Sequence, residues 1–211
     1  VIGASALFFL AKKGLKPLLI EAKSIAHGAS GKAGGILTPF APIETPEIKQ
    51  LLGKSLQIHA NLAKEFDGEN HYAYEKYRAF TIATTLDEVD QLRKTRLNSE
   101  SEWLENEEIL REKGWINKDT YGGICFTNYQ LDPEAFTKKL VAESLKMGAR
   151  IELGRVINLL KNRNRIEGLE TKSGIIRTDK VVFTMGPWTM NLEKWLGIKI
   201  PVIPLKGEIL R

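Results

Sequence analysis

The segment PLLIEAKSIAHGASGKAGGIL, residues 17–37, joins a short apolar run to a carboxylate and then to a loop rich in glycine. The run Pro17 to Glu21 has the composition of a buried strand. The loop alternates glycine with small residues, so its backbone N–H groups can approach an anion closely. Ser30 adds a hydroxyl group and Lys32 a charge that can partner phosphate. The alternative is a flexible surface loop.

The residues before this segment predict a helix that precedes the strand. Ala4 to Lys13 is rich in Ala and Leu, and Gly14 follows as a C-terminal stop. Eighteen residues separate Gly3 from Glu21, close to the roughly 20 expected between a dinucleotide-binding glycine turn and its ribose-binding acid. Gly3 would then be the third glycine of G-x-G-x-x-G. A plain helix-start glycine is the alternative.

The middle of the chain alternates helical and strand patterns. Residues 46–66 carry apolar residues at helical spacing, and residues 79–84 have strand composition. Thr85 and Glu88 match a capping box, which predicts a helix through Leu97. An acidic helix is expected over residues 100–114 and a strand over residues 122–126. We expect the aromatic side chains of this region to pack in a core or an interface, with pocket lining as the alternative for one or two: Tyr72, Tyr74, Tyr77, Trp103, Trp115 and Tyr121.

From Asp132 onward the signals are stronger. Asp132 followed by Pro133 predicts the start of a helix that ends at Gly148. Four short segments then predict an antiparallel meander: residues 151–153, 156–160, 166–171 and 174–177. Residues 180–184 predict a fully buried strand that closes on Gly186, and residues 188–196 a helix that stops at Gly197. A glycine at the carboxyl end of such a strand is where open α/β sheets bind ligands.

Composition and charge exclude several classes of protein. The chain has 211 residues, a net charge of +5 and one cysteine, Cys125, so it can form neither an internal disulfide nor a Cys-pair zinc site. Cys125 is expected to be a packed thiol. The apolar run of residues 1–11 is too short to span a bilayer. Residues 150–177 are basic but lack interleaved aromatic residues, so we do not expect a nucleic-acid partner. No metal site is expected either.

Together these motifs resemble the FAD-dependent D-amino-acid oxidase superfamily, and its glycine-oxidase-like members most of all. The similarity rests on Gly3, the LLIE strand ending at Glu21, and the GASGKAGGI loop of residues 28–36. It extends to LDP at residues 131–133, VVFTMGPW at residues 181–188 and PVIPLKG at residues 201–207. In order and spacing it covers almost the whole chain.

The resemblance implies an α/β fold: a Rossmann-like, glutathione-reductase-like FAD-binding domain, with a parallel sheet and an antiparallel meander, that holds an inserted α+β substrate domain. Residues 1–40 and 131–197 would form the FAD-binding domain. Residues 41–130 would form the first part of the substrate domain, and residues 198–211 the start of its returning strand. The chain is expected to be a fragment truncated at both ends, with its catalytic residues beyond Arg211. The fragment alone is expected to be inactive.

The resemblance also implies a set of contacts with FAD. Glu21 would accept hydrogen bonds from the ribose hydroxyls, with Ala22 and Lys23 beside it. The helix after Gly3, together with the loop, would face the phosphates; Gly34 to Ile36 would lie by the flavin ring, and the Val156 backbone would read the adenine edge. The histidine that covalently flavinylated members use in this loop is not matched, and attachment through His27 is not expected, so FAD would be non-covalent. The implied cofactor-binding residues are Gly3, Glu21, Ala22, Lys23, Ser30, Gly31, Lys32, Gly34, Gly35, Ile36, Val156, Met185 and Gly186.

The implied activity is oxidation of the C–N bond of an amino acid or secondary amine by hydride transfer to flavin, with oxygen as acceptor and hydrogen peroxide as product. An NAD-dependent dehydrogenase is an alternative that would not need the loop of residues 28–35. A non-catalytic interaction module, or a fragment that keeps the fold, is another. A cytoplasmic location is expected.

Overall fold

The computed structural model describes residues 1–38, 45–94 and 101–209. The chain divides into two compact units, of which the first comprises Val1–Gly34 with Asp132–Arg211 and the second Gly35–Leu131. The helices are α1 (Ile2–Lys12), α2 (Ala29–Lys32), α3 (Pro46–Phe66), α4 (Gly68–Tyr72), α5 (Leu86–Lys94), α6 (Asn106–Glu112), α7 (Pro133–Lys146) and α8 (Glu193–Leu196), with a 3₁₀ helix at Gly186–Leu192. The strands are β1 (Leu18–Glu21), β2 (Ile36–Leu37), β3 (Glu75–Ile82), β4 (Glu102–Leu104), β5 (Gly123–Gln130), β6 (Arg150–Leu153), β7 (Val156–Asn162), β8 (Arg165–Thr171) and β9 (Gly174–Arg177).

The first unit is built on a parallel pair of strands. β1 pairs with β6 in a register that runs from Leu18 opposite Arg150 to Glu21 opposite Leu153. Helices α1 and α7 pack together. They bury an apolar core that includes Leu7, Phe8, Phe136, Leu140 and Val141. The predicted α/β arrangement is thus present in this unit.

Helix α7 begins where the sequence predicts it. Asp132 Oδ1 accepts hydrogen bonds from the backbone N–H groups of Glu134 and Ala135, each at 2.9 Å. Pro133 takes the first helical position, where a missing N–H group costs nothing. Gly148 follows the helix with a φ of +89°, a conformation that suits glycine.

The predicted four-segment meander is wrong in one element. β7, β8 and β9 form an antiparallel sheet in that order, whereas β6 belongs to the parallel pair with β1. The reason is that α7 acts as a crossover helix, and a strand that follows a crossover returns parallel to its partner.

The predicted buried strand at residues 180–184 is also corrected. The structure assigns no strand there and, among the described residues, no ladder partner. Val182 is 67% exposed, while Val181 and Phe183 are partly buried, so only one face of this extended segment packs. The helix expected over residues 188–196 is mainly the 3₁₀ helix, followed by the single turn of α8. Gly197 ends α8, as predicted, and its backbone is in the left-handed conformation.

The second unit is an antiparallel sheet in which β5 pairs with β3 along its whole length and also with β2 and β4. Helix α6 contributes Ile109 to a core with Leu104 and Cys125. The thiol of Cys125 is packed as expected, and its sulfur accepts a hydrogen bond from Arg78 Nε at 3.2 Å. Within the part of the chain that the structure describes, no helix is long and apolar enough to cross a bilayer.

Three expectations for the second unit are refined. The capping box is present, because Glu88 Oε2 accepts from the Thr85 N–H at 3.1 Å and Thr85 Oγ1 accepts from the Glu88 N–H at 3.3 Å. Leu97 lies outside the described residues. The acidic helix begins only at α6, because Trp103 and its neighbours pair with β5 as β4. Trp115 is 83% exposed and therefore does not pack in the core, whereas Tyr72 is buried.

We expect Asp132→Ala to lower the free energy of unfolding by about 0.5–2 kcal/mol, because two N–H groups at the start of α7 lose their acceptor. Urea denaturation measures the change. Asp132→Asn is the matched control, since it keeps an oxygen at the same position and should stay within a few tenths of a kcal/mol of the unchanged chain. Equal stability of the alanine variant and the unchanged chain would show that this cap does not stabilise the helix.

Candidate cofactor-binding site

A cleft of about 720 Å³ lies within the first unit. Its walls come from the carboxyl end of β1, the start of α1, the loop of residues 22–30 and the extended segment of residues 180–188. Eight of the residues implied as FAD contacts line it: Gly3, Glu21, Ala22, Lys23, Ser30, Val156, Met185 and Gly186. The structure therefore brings together residues that are far apart in the sequence.

Glu21 is the last residue of β1, and its backbone and side chain are both held. Its carbonyl oxygen accepts from the Gly154 N–H at 2.8 Å, which extends the ladder with β6 by one step. Its carboxylate Oε1 accepts from the Lys23 N–H at 3.0 Å. The carboxylate is thus fixed at the carboxyl edge of the parallel pair, on the cleft wall.

Gly3 allows the first turn of α1 to approach the extended segment. A Cβ atom at this position would lie 2.7 Å from Thr184 Oγ1, well inside van der Waals contact. Close helix-to-strand packing is the role of the third glycine in a dinucleotide-binding turn. The geometry therefore favours that interpretation of Gly3 over a plain helix-start glycine.

The glycine-rich loop is held by backbone contacts. Ser30 Oγ lies 2.7 Å from the Val1 nitrogen, beside the start of α1. A Cβ atom on Gly31 would lie 2.1 Å from the carbonyl oxygen of Ala26, so only glycine fits there. On Gly28 a Cβ atom would lie 3.4 Å from the Trp188 ring. Gly31 is buried, so it shapes the loop without lining the cleft.

Five of the implied contacts do not line the cleft: Gly31, Lys32, Gly34, Gly35 and Ile36. Lys32 lies near the start of α7 instead. The pKa of the Glu134 carboxyl is lowered first by its hydrogen bond with Lys138 and, to a smaller extent, by the charge of Lys32. Gly35 and Ile36 belong to the second unit. Ile36 is 60% exposed.

The cleft is strongly cationic. Among the described residues that line it, one carries a carboxylate, Glu21, and six carry a positive charge: Lys16, Lys23, Arg150, Arg155, Arg177 and Lys180. Such a lining attracts an anionic ligand. Sequence reasoning missed most of these cations because they are scattered along the chain, although Arg155 stands directly before the implied adenine-reading position, Val156.

Two further features of the cleft were not predicted. Lys23 Nζ lies 3.1 Å from His27 Nε2, so the two side chains form a hydrogen-bonded pair on the wall. Trp188 and Trp195 add aromatic surface, and the Trp195 ring lies 6.3 Å from the Phe183 ring, between ring centroids. In the sequence alone, a Lys and a His four residues apart, or a tryptophan after an apolar run, occur too often to identify a site.

The residues present fit a dinucleotide cofactor. The carboxylate at the end of β1 suits ribose hydroxyls, and the cationic lining suits a pyrophosphate. A Cβ atom on Gly34 or Gly186 would meet no atom within 4 Å, so the backbone at both positions is open to a ligand. Among the described residues, no group of three His, Cys, Asp or Glu side chains could hold a metal ion.

Comparison with known proteins identifies relatives of the chain. Dimethylglycine dehydrogenase from the mitochondria of Homo sapiens is 26% identical over 218 residues, covering 98% of the chain and 24% of the relative. Glycine oxidase of Bacillus subtilis strain 168 is 22% identical over 214 residues, covering all of the chain and 58% of the relative. The chain thus spans about a quarter of the first relative and little more than half of the second.

The fold is found in a solved structure. The crystal structure of glycine oxidase from Bacillus cereus ATCC 14579 matches with a TM-score of 0.79 at 23% identity, covering 90% of the chain and 56% of that structure. This match confirms the α/β fold expected from the sequence.

A family model described as DAO, FAD dependent oxidoreductase, matches residues 1–211. The expected enzyme class and the expected cofactor, FAD, are those of this family. The chain belongs to the DAO family of FAD-dependent oxidoreductases.

Proposed function

We propose that the protein containing this chain uses non-covalently bound FAD to oxidise the C–N bond of an amino acid or secondary amine, with oxygen as electron acceptor. The observation that carries the proposal is the cleft of the first unit, in which the Glu21 carboxylate stands at the end of β1 among six cationic side chains. Relatives named glycine oxidase and dimethylglycine dehydrogenase support the substrate class.

Residues of the cleft, and Gly34 of the adjoining loop, each have a role in this proposal. Glu21 accepts hydrogen bonds from the ribose hydroxyls of the adenosine half. The N-terminus of α1 faces the pyrophosphate, an effect of about 0.3–1 kcal/mol per favourable charge at exposed sites. Ser30 supplies a hydroxyl group to the phosphates. Gly34 and Gly186 leave room for the cofactor because neither carries a side chain.

The bound flavin supplies an acceptor for the hydride that leaves the substrate carbon next to nitrogen. As that C–H bond breaks, the nitrogen lone pair forms a C=N bond, and water then hydrolyses the imine to a carbonyl compound and an amine or ammonia. The chain contributes by binding and orienting the cofactor and by excluding water from it. With oxygen as acceptor, the two electrons removed from the substrate, together with two protons, would reduce oxygen to hydrogen peroxide.

The test uses the product of the complete reading frame. We expect the purified protein to show the visible absorption bands of oxidised flavin and to release FAD on denaturation without a covalent remnant. Glycine, N-methylglycine, N,N-dimethylglycine and proline are then added one at a time without oxygen, and loss of the flavin colour identifies a substrate. Peroxide release in air tests the acceptor. Absence of flavin, or reduction of NAD by these substrates, would overturn the proposal.

We expect Glu21→Gln to weaken FAD binding by about 10- to 100-fold, because hydrogen bonds to a charged acceptor contribute about 1.5–3 kcal/mol. FMN lacks the adenosine half, so its affinity should not change. Flavin fluorescence titration of the apoprotein measures both ligands. Glu167→Gln, an exposed acid on β8, is the matched control. Equal FAD affinity in the unchanged protein and the Glu21 variant would show that the Glu21 carboxylate does not contact FAD.

We expect Gly34→Ala to weaken the binding of FAD and FMN alike, because both carry the flavin ring that Gly34 adjoins in this proposal. The apoprotein should keep its melting temperature, since a Cβ atom there meets nothing within 4 Å. Gly53→Ala on α3 also enters open space and should leave the flavin affinity unchanged, while its alanine, inside a helix, should raise the melting temperature slightly. Unchanged flavin affinity in the Gly34 variant would show that this glycine does not contact the ring.

A further inference from the structure

A turn in the wall of the first unit's cleft holds an alanine in a strained backbone conformation. The His27 N–H donates to the Ser24 carbonyl oxygen at 3.0 Å, which closes the turn. Ala26, the third residue of the turn, has a φ of +62°. Turns of this geometry favour glycine or asparagine at that position, because a Cβ atom there crowds the backbone. Ala26 therefore keeps this conformation only because its surroundings hold it.

The loop that follows is packed on Ala26. The Ala26 carbonyl oxygen lies against Gly31, 2.1 Å from where a Cβ atom on that glycine would stand. A change of φ at Ala26 would move this oxygen, together with the loop packed on it, relative to the end of β1. Residues 25–30 all line the cleft. The shape of the cleft wall therefore depends on the conformation of this one residue.

Two side chains join the ends of the turn. Lys23 stands directly before the turn and His27 is its last residue, and Lys23 Nζ lies 3.1 Å from His27 Nε2. An ammonium group has only donors, so the imidazole nitrogen is the acceptor. The Lys23 N–H also donates to Glu21 Oε1 at 3.0 Å. Lys23 thus connects the turn to the carboxylate at the end of β1.

We propose that the Lys23–His27 hydrogen bond is a clasp that keeps the strained turn closed, which makes His27 and Lys23 positioning residues for FAD. The inference rests on the proposed function, in which the loop faces the phosphates of the cofactor. Without the clasp, Ala26 relaxes in part of the molecules, and only the remainder keep the cleft shape that binds FAD. The apparent affinity falls in proportion to that fraction. The effect needs no contact between the imidazole and the cofactor.

The opposing energies are close enough in size for the clasp to decide the population of the turn. One hydrogen bond and the preference of an alanine for negative φ contribute free energies of the same order. His27 is exposed, so its side chain adds no buried packing to the fold. Removing the imidazole should therefore change the conformation of the turn without unfolding the unit.

His27→Ala tests the clasp in the apoprotein of the complete reading frame, which is titrated with FAD by flavin fluorescence. We expect the dissociation constant to rise about 2- to 10-fold, the range for one hydrogen bond. His27→Gln should restore the affinity of the unchanged protein, because a glutamine oxygen can take the place of Nε2 and accept from Lys23. His71→Ala removes an exposed histidine of the second unit and is the matched control without effect.

A double-mutant cycle tests whether the clasp acts through the strained turn. Glycine adopts a positive φ at no steric cost, so Ala26→Gly should bind FAD at least as tightly as the unchanged protein. In that background His27→Ala should lose less than about twofold in affinity, because no strain is left to oppose. Ala73→Gly relieves a similar conformation, with a φ of +51°, in the second unit. It is the matched control and should leave the loss caused by His27→Ala intact.

The outcomes separate this inference from the proposed function. Unchanged FAD affinity in the His27→Ala variant, no recovery with His27→Gln, or an equal loss in the Ala26→Gly background overturns the clasp and leaves the proposed function standing. An unchanged protein that binds no FAD overturns both. Melting temperatures identify a variant that fails to fold. His27→Phe, which keeps a ring but has no acceptor, then takes the place of the alanine variant.

Discussion

The parallel pairing of β1 with β6 is the constraint on which the first unit depends. Parallel strands need a crossover connection, and α7, started by the Asp132 cap, returns the chain so that β6 can lie beside β1. Since the two strands run in the same direction, their carboxyl ends meet at one edge. That edge brings the Glu21 carboxylate next to Gly154 and the following residues, where open α/β sheets bind ligands. The cleft is thus a consequence of the ladder.

Local chemistry explains which parts of the fold were predictable. The Asp132 cap and the capping box of Thr85 involve atoms within four residues, so the sequence contains the whole interaction. An apolar run followed by a carboxylate likewise identifies Glu21 as a strand end. Strand pairing cannot be predicted in this way, because the composition of residues 180–184 does not show whether another strand lies alongside them. The partner of β6 was missed for the same reason, since a short apolar segment does not specify its neighbour.

The roles of the loop glycines are likewise predictable only in part. Composition predicts a loop that lets backbone approach a ligand, but it does not say which glycine does so. Gly31 is fixed by the Ala26 carbonyl oxygen, 2.1 Å from where its Cβ atom would stand, whereas Gly34 faces open space. The difference comes from Ala26, a non-glycine residue with a φ of +62°, which turns its carbonyl toward the loop. Sequence reasoning treats both glycines alike because that turn is a property of the folded backbone.

The register of β2 on β5 depends on the backbone at Gly35. The Leu131 N–H donates to the Gly35 carbonyl oxygen at 3.0 Å, directly before Ile36 pairs with Gln130. Gly35 has a φ of +80°, which a residue with a side chain adopts only with strain. A slip of one residue would move Ile36 to the face opposite Asn128 and Tyr77, because side chains alternate along a strand. Gly35, assigned to the flavin by its position in the loop, therefore also sets which polar side chains share a face with Ile36.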